Sequence, residues 1–234
     1  MDRTDETATL FTIWDTPVKV KPAFLVNVLG LWGLLSWLSG RRHPERPWPV
    51  RVLVGALSTL ALLAVDVGHA MAHILSARYA DAPMDEILLS EGMPRTVYYD
   101  NHVAPQVHRM RAVGGPIYSA VGLLASLGLR RLAPRGSIGH EVASWAALGH
   151  GLILAGSLAP LPMVDGGTLL KWTLVERGQT PEEADEVVKQ ASLSAGAAAV
   201  ATGAALATQR RWLPAVGLMG AGMIAIAAAL DKLR

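Results

Sequence analysis

The chain contains no cysteine, so disulfides and thiolate ligands are excluded, and any metal must be held by histidines and carboxylates. It is also poor in charge. Only 17% of its 234 residues are Asp, Glu, Lys or Arg, against about 25% in an ordinary soluble domain. A net charge of +2, with Lys and Arg scattered through short loops, gives no basic stripe and excludes a nucleic-acid partner. The first nine residues, Met1 to Thr9, are acidic and polar and lack the basic start of a signal peptide.

What is abundant is apolar sequence: 51% of residues, with a mean hydropathy of +0.33. Six runs approach the roughly 20 residues needed to cross a bilayer. They lie at about 24–40, 52–75, 112–129, 142–161, 191–208 and 213–230. The expected fold is therefore an all-α, multi-pass membrane protein of one polytopic domain, with about six transmembrane helices embedded in the lipid bilayer. Trp32, Trp37, Trp48, Trp145 and Trp212 fall near run ends, as an aromatic belt does. The last two runs are rich in Ala and Gly, which lets helices approach closely in lipid. Two connectors are longer. Ser76 to Met110 contains a β-prone piece, Thr96-Val97-Tyr98-Tyr99. Gly166 to Gln190 contains a capping box, with Thr180 as N-cap, Pro181 first in the helix and Glu183 three residues after the cap, predicting a helix over Pro181–Lys189.

His69 and His73 lie four residues apart in the second run, so on a helix they share one face and can reach one ion. This is the spacing of H-E-x-x-H, whose histidines bind zinc and whose Glu is the general base. Here the Glu position is Ala70. A third ligand is needed, and Pro160-Leu161-Pro162-Met163-Val164-Asp165-Gly166-Gly167 supplies Asp165 at the end of the fourth run. Counting crossings puts Asp165 toward the same membrane face as the histidines. The prolines break the helix there and the glycines let the backbone bend.

Together these segments resemble the site-2 proteases, a family of intramembrane zinc metalloproteases. His69 and His73 match its histidine ligands, and Asp165, preceded by Pro160 and Pro162, matches its aspartate ligand. Thr16–Pro22 resembles its short edge segment, Arg111-Ala112-Val113-Gly114-Gly115-Pro116 its A-G-P motif, and Asp165–Leu170 its D-G-G-x-x-L continuation. The resemblance implies one Zn²⁺ per chain, a prokaryotic cell membrane with the metal site toward the cytosol, and hydrolysis of membrane-protein substrates in or near a transmembrane helix. Loop charges do not decide orientation. The loops leave no room for a PDZ-like insert, so the form is minimal. Ser157 and Ser119 stand where the family usually has Asn, and they are candidate substrate-binding residues. Thr96, Val97 and Tyr98 are candidates for pairing with an unwound substrate strand.

Ala70 can accept no proton, and losing a general base costs about 10²–10⁴ in rate. Two readings are open: an inactivated version of an active protease, and a natural pseudoprotease that binds membrane helices without cutting them. The intact His, His, Asp set favours the first. Asp66, one turn before His69, is a candidate second partner for a ligating imidazole, or else a polar packing residue. His150 reads as a packing residue, His43 and His140 as interfacial, and His102 and His108 as solvated loop residues. A metal transporter would also carry His and Asp within the membrane, but the Pro-rich break with Asp-Gly-Gly and the absence of an inverted repeat argue against it.

Overall fold

In the computed structural model, residues 7–90, 94–162 and 164–230 are described. They form seven helices and four strands. The helices are α1 (Pro22–Arg42), α2 (Trp48–Tyr79), α3 (Pro105–Leu132), α4 (Ile138–Ser157), α5 (Asp165–Glu176), α6 (Pro181–Thr208) and α7 (Trp212–Ala229). The strands are β1 (Ala8–Ile13), β2 (Thr16–Val20), β3 (Glu86–Leu89) and β4 (Arg95–Val97). Met163, within the Pro-rich motif, and residues 91–93 of the long connector lie outside the described residues.

The chain divides into two compact units, residues 1–102 with 114–154, and residues 103–113 with 155–234. In the first, the strands form one sheet in the order β1-β2-β3-β4. Trp14 and Asp15, both at positive φ, make the tight turn between antiparallel β1 and β2, a geometry suited to strand twist. β2 and β3 are parallel, joined through α1 and α2, and antiparallel β4 forms an edge. Lys19 of β2 and Glu86 of β3 form an ion pair across the sheet. That bond holds the Lys19 ammonium above its ordinary pKa of 10.5.

The apolar face of the sheet covers α2. Val18, Val20, Met84, Ile87 and Leu89 pack with Ala70, Ile74 and Ala77. These three α2 residues fall at i, i+4 and i+7, so they make one stripe of the helix, while His69 and His73 make the next. At the start of α2, a buried network ties the unit's connectors together. Arg46 pairs with Glu141 and also donates to Ser39 Oγ (2.9 Å) and Gly136 O (2.8 Å).

In the second unit, α6 and α7 pack along a seam of small residues. A Cβ on Gly203 would lie 2.8 Å from Ala215 O, and one on Gly196 2.8 Å from Gly222 O. The capping box forms as the sequence predicts: Glu183 N donates to Thr180 Oγ1 (3.2 Å), and Thr180 N donates to Glu183 Oε2 (2.8 Å). The helix it opens does not stop at Lys189 but continues into the fifth apolar run, so α6 is one 28-residue helix.

Five helices, α1, α2, α3, α6 and α7, are long and apolar enough to cross a membrane. The fourth expected crossing, α4, ends at Ser157 rather than Leu161 and falls short of that standard, since it carries His140, Glu141, Ser144 and His150. A second difference lies at α3, which starts at Pro105, seven residues earlier than the apolar run. Its polar first turns pack within the second unit on α5: Arg109 pairs with Glu176 (2.6 Å), Gln106 donates to Glu176 (2.8 Å), and His108 stacks on Trp172 at 3.8 Å. His108 is thus a buried helical residue, not a solvated loop residue.

Candidate metal centre

His69 and His73 lie on one face of α2, 9% and 6% exposed. Their Nε2 atoms are 3.4 Å apart, and the rings meet edge to face at 75°. Two nitrogens bound at about 2.0–2.1 Å to one tetrahedral zinc would be separated by about 3.3–3.4 Å, the edge of the tetrahedron. The pair already has that spacing.

What lets the imidazoles occupy this position is the helix opposite. A Cβ on Gly115 of α3 would overlap Nε2 of both histidines, so only glycine leaves the space in which those nitrogens sit. The next residue, Pro116, lies inside α3 and has no N–H to offer the carbonyl of Ala112. One turn further on, Ser119 is fully buried with its Oγ 2.9 Å from His69 Nδ1. When Nδ1–H donates to that hydroxyl, Nε2 is the ring's lone-pair atom, as ligation requires.

This arrangement revises two expectations. The partner of His69 Nδ1 is Ser119, across the helix pair, and not Asp66, which makes no hydrogen bond among the described residues. Asp66 and His69 follow one another on the same helix, whereas α3 brings Ser119 in from the side. Ser119 is in turn a poor candidate for gripping a substrate, because none of its surface is exposed. Gly115 is the residue that motif spacing undervalued: the sequence marked it only as part of an A-G-P-like string.

Ala70 is 3% exposed, and its methyl belongs to the apolar cluster under the sheet. Of the proposed strand-pairing residues, Thr96 and Val97 lie in β4, opposite Ile87 and Glu86, and Tyr98 follows the strand and packs on the same cluster. His150 is buried against Tyr118, with ring centroids 5.5 Å apart, and against the backbone of Gly122. His102 is exposed, and His43 bonds Glu45 at 3.1 Å.

The second unit holds the other motif. Asp165 is the first residue of α5 and half-buried, and a carboxylate is favoured at a helix N-terminus. Gly166 and Gly167 serve close approach, not an unusual φ: a Cβ on either would collide with the backbone of Leu158–Leu161. Ser192 of α6 donates to Pro160 O at 2.5 Å, bracing the same turn. Ser157, the last residue of α4, is 2% exposed. α5 itself went unread in the sequence, since two glycines in its first turn mask its helical pattern.

No protein-family model matches the chain, and no curated protein does. Among solved structures it is similar to the site-2 protease from Methanocaldococcus jannaschii. The TM-score is 0.57 at 14% identity, over 98% of this chain and 96% of that one. At that identity the likeness establishes the fold, which is site-2-protease-like.

Proposed function

We propose that the chain is an intramembrane zinc metalloprotease by design, held in a form that lacks its general base. The observation that carries this reading is the His69–His73 pair, with Nε2 atoms at the spacing of a tetrahedral zinc edge in a space only Gly115 leaves. His69, His73 and Asp165 are the proposed ligands. Two imidazoles and one carboxylate are the donor set of a catalytic zinc site with its fourth position open. Bound there, zinc supplies Lewis-acid activation of water and of a peptide carbonyl.

The chain's own residues do the rest. Ser119 fixes the tautomer and tilt of His69. Ala70 stands where the base belongs, and a methyl group can neither take a proton nor pass one to a leaving amine. Hydrolysis is therefore lowered by about 10²–10⁴ from this loss alone. The substrate is a membrane protein whose transmembrane helix must unwind before its backbone can be cut. The edge of β4, at Thr96–Val97, is the proposed surface for pairing with the unwound strand. Five candidate spans support an integral membrane protein. By the family resemblance, the metal site faces the cytosol of a prokaryotic cell.

The test is Ala70→Glu in proteoliposomes with a single-span substrate. Cleavage that appears with Glu and vanishes with a zinc chelator is the expected result. Glu-bearing protein that binds zinc but cuts nothing contradicts it, and favours the second reading, a pseudoprotease that holds membrane helices. That second reading draws on Ala70 itself, whose methyl fits the apolar cluster it occupies. Val97→Pro in the Glu-bearing protein should reduce cleavage with zinc retained; unchanged cleavage would remove β4 from the account.

A further inference from the structure

The connector between α3 and α4 borders an open surface cavity of about 570 Å³, lined by Leu127, Arg130, Arg131, Ala133, Arg135 and His140. Its lining holds three guanidinium groups and an imidazole, and no carboxylate. None of the three arginine side chains has an acidic partner among the described residues. Arg130 and Arg131, in the last turn of α3, offset the partial negative charge at that helix end. That does not account for Arg135 or His140, which lie beyond the helix, or for the cavity they share.

The walls are fixed by bonds on the far side of the connector. Arg46, itself paired with Glu141, donates to Gly136 O at 2.8 Å, and Ser137 N donates to Pro134 O at 3.1 Å. Gly136, at φ +80°, makes the turn. His140 Nδ1–H donates to Arg130 O at 3.0 Å, so the imidazole is tied to the end of α3. The basic groups are thus gathered by the fold and not by one another, against their mutual repulsion.

A ligand for this space needs concentrated negative charge with several acceptor oxygens, which describes a phosphate, the group guanidinium forks match best. It also has an apolar neighbour. Leu124, Leu129 and Leu132 of α3, next to the cavity in sequence, are 72%, 61% and 84% exposed on a helix apolar enough to lie in lipid. We propose that this cavity binds the phosphate headgroup of an anionic phospholipid, whose acyl chains lie along the end of α3. Arg130, Arg131 and Arg135 hold the phosphate oxygens. The site anchors the α3–α4 end of the first unit in the membrane.

The experiment is native mass spectrometry of the purified full chain, offered phosphatidylglycerol or phosphatidylcholine at equal concentration. The expected result is a preference of roughly tenfold or more for phosphatidylglycerol, from three charge-assisted contacts. It should be lost in Arg130→Gln/Arg131→Gln/Arg135→Gln and in the single variant Arg135→Glu. It should persist in Arg210→Gln/Arg211→Gln, which removes charge from the α6–α7 connector instead. Equal retention in all proteins, or equal loss in the Arg210/Arg211 variant, overturns the site. Millimolar inorganic phosphate should leave lipid retention unchanged; displacement of the lipid by phosphate would assign the cavity to a free phosphate ligand and overturn the lipid assignment.

Discussion

Glycine brings helices together at several seams here, and two of them give opposite results. Between α6 and α7, the atoms that a Cβ on Gly196, Gly203 or Gly222 would meet are backbone carbonyl and amide atoms and aliphatic groups. Between α2 and α3, the atoms facing Gly115 are the ring nitrogens of His69 and His73. The first contact is packing: small residues exchange side-chain volume for close dispersion contact. The second is a cradle, in which a missing side chain makes room for polar atoms that would otherwise be pushed aside. The same composition in a sequence therefore means different things according to what the neighbouring helix places opposite it.

Substituting alanine at each seam separates the two uses. Gly115→Ala should abolish metal binding while leaving the helical content intact, read as zinc per chain and circular dichroism. Gly203→Ala should do the reverse, costing about 1–3 kcal/mol through overpacking with zinc retained. If both variants lost zinc equally, or neither did, the distinction would fail.

Arg46→Ala tests whether the distant end of the first unit acts apart from the cradle. Arg46 and Glu141 are 8% and 5% exposed, and a buried charge left without its partner costs about 3–5 kcal/mol. A large fall in thermal stability with unchanged metal content is expected. A fall below about 1 kcal/mol would show that water reaches the pair.

Ser119→Ala isolates the hydrogen bond behind His69, a proposed ligand. Zinc affinity should drop about 10–100-fold, measured by competition with a chromogenic chelator, with little change in fold. Unchanged affinity would make the Ser119 contact incidental. The smallest effect concerns the sheet. Because Glu86 raises the pKa of Lys19, the pair's contribution is fully present below pH 10.5 and is lost as pH rises through the folded value. Lys19→Met should therefore lower the melting temperature slightly at about pH 8 and not at all once the pH is well above the folded value. An equal effect at both would mean that only packing was lost.

Much of this was legible in the chain because it rests on local rules. The i, i+4 spacing put His69 and His73 on one face, and Thr180 with Glu183 marked the cap of α6. Thr96–Tyr99 reads as β-prone and overlaps β4, while β2 falls in Thr16–Pro22, which only the family resemblance marked as an edge segment. What escaped depends on partners distant in sequence. β1 and β3 are strands because β2 lies beside each of them. The early start of α3 is held by Glu176 and Trp172, which lie far along the chain in α5. The roles of Ser119 and Gly115 need the α2–α3 contact, which no periodicity reports. Hydropathy also counted α4 as a full crossing, because a run of apolar residues hides the few polar ones that its packing uses.

The most direct test of the account is zinc per chain in the purified protein, measured by elemental analysis beside His69→Ala. About one zinc ion per chain, lost in the variant, is the predicted result. No zinc in either protein, or equal zinc in both, would contradict the claim that this histidine pair is a metal centre.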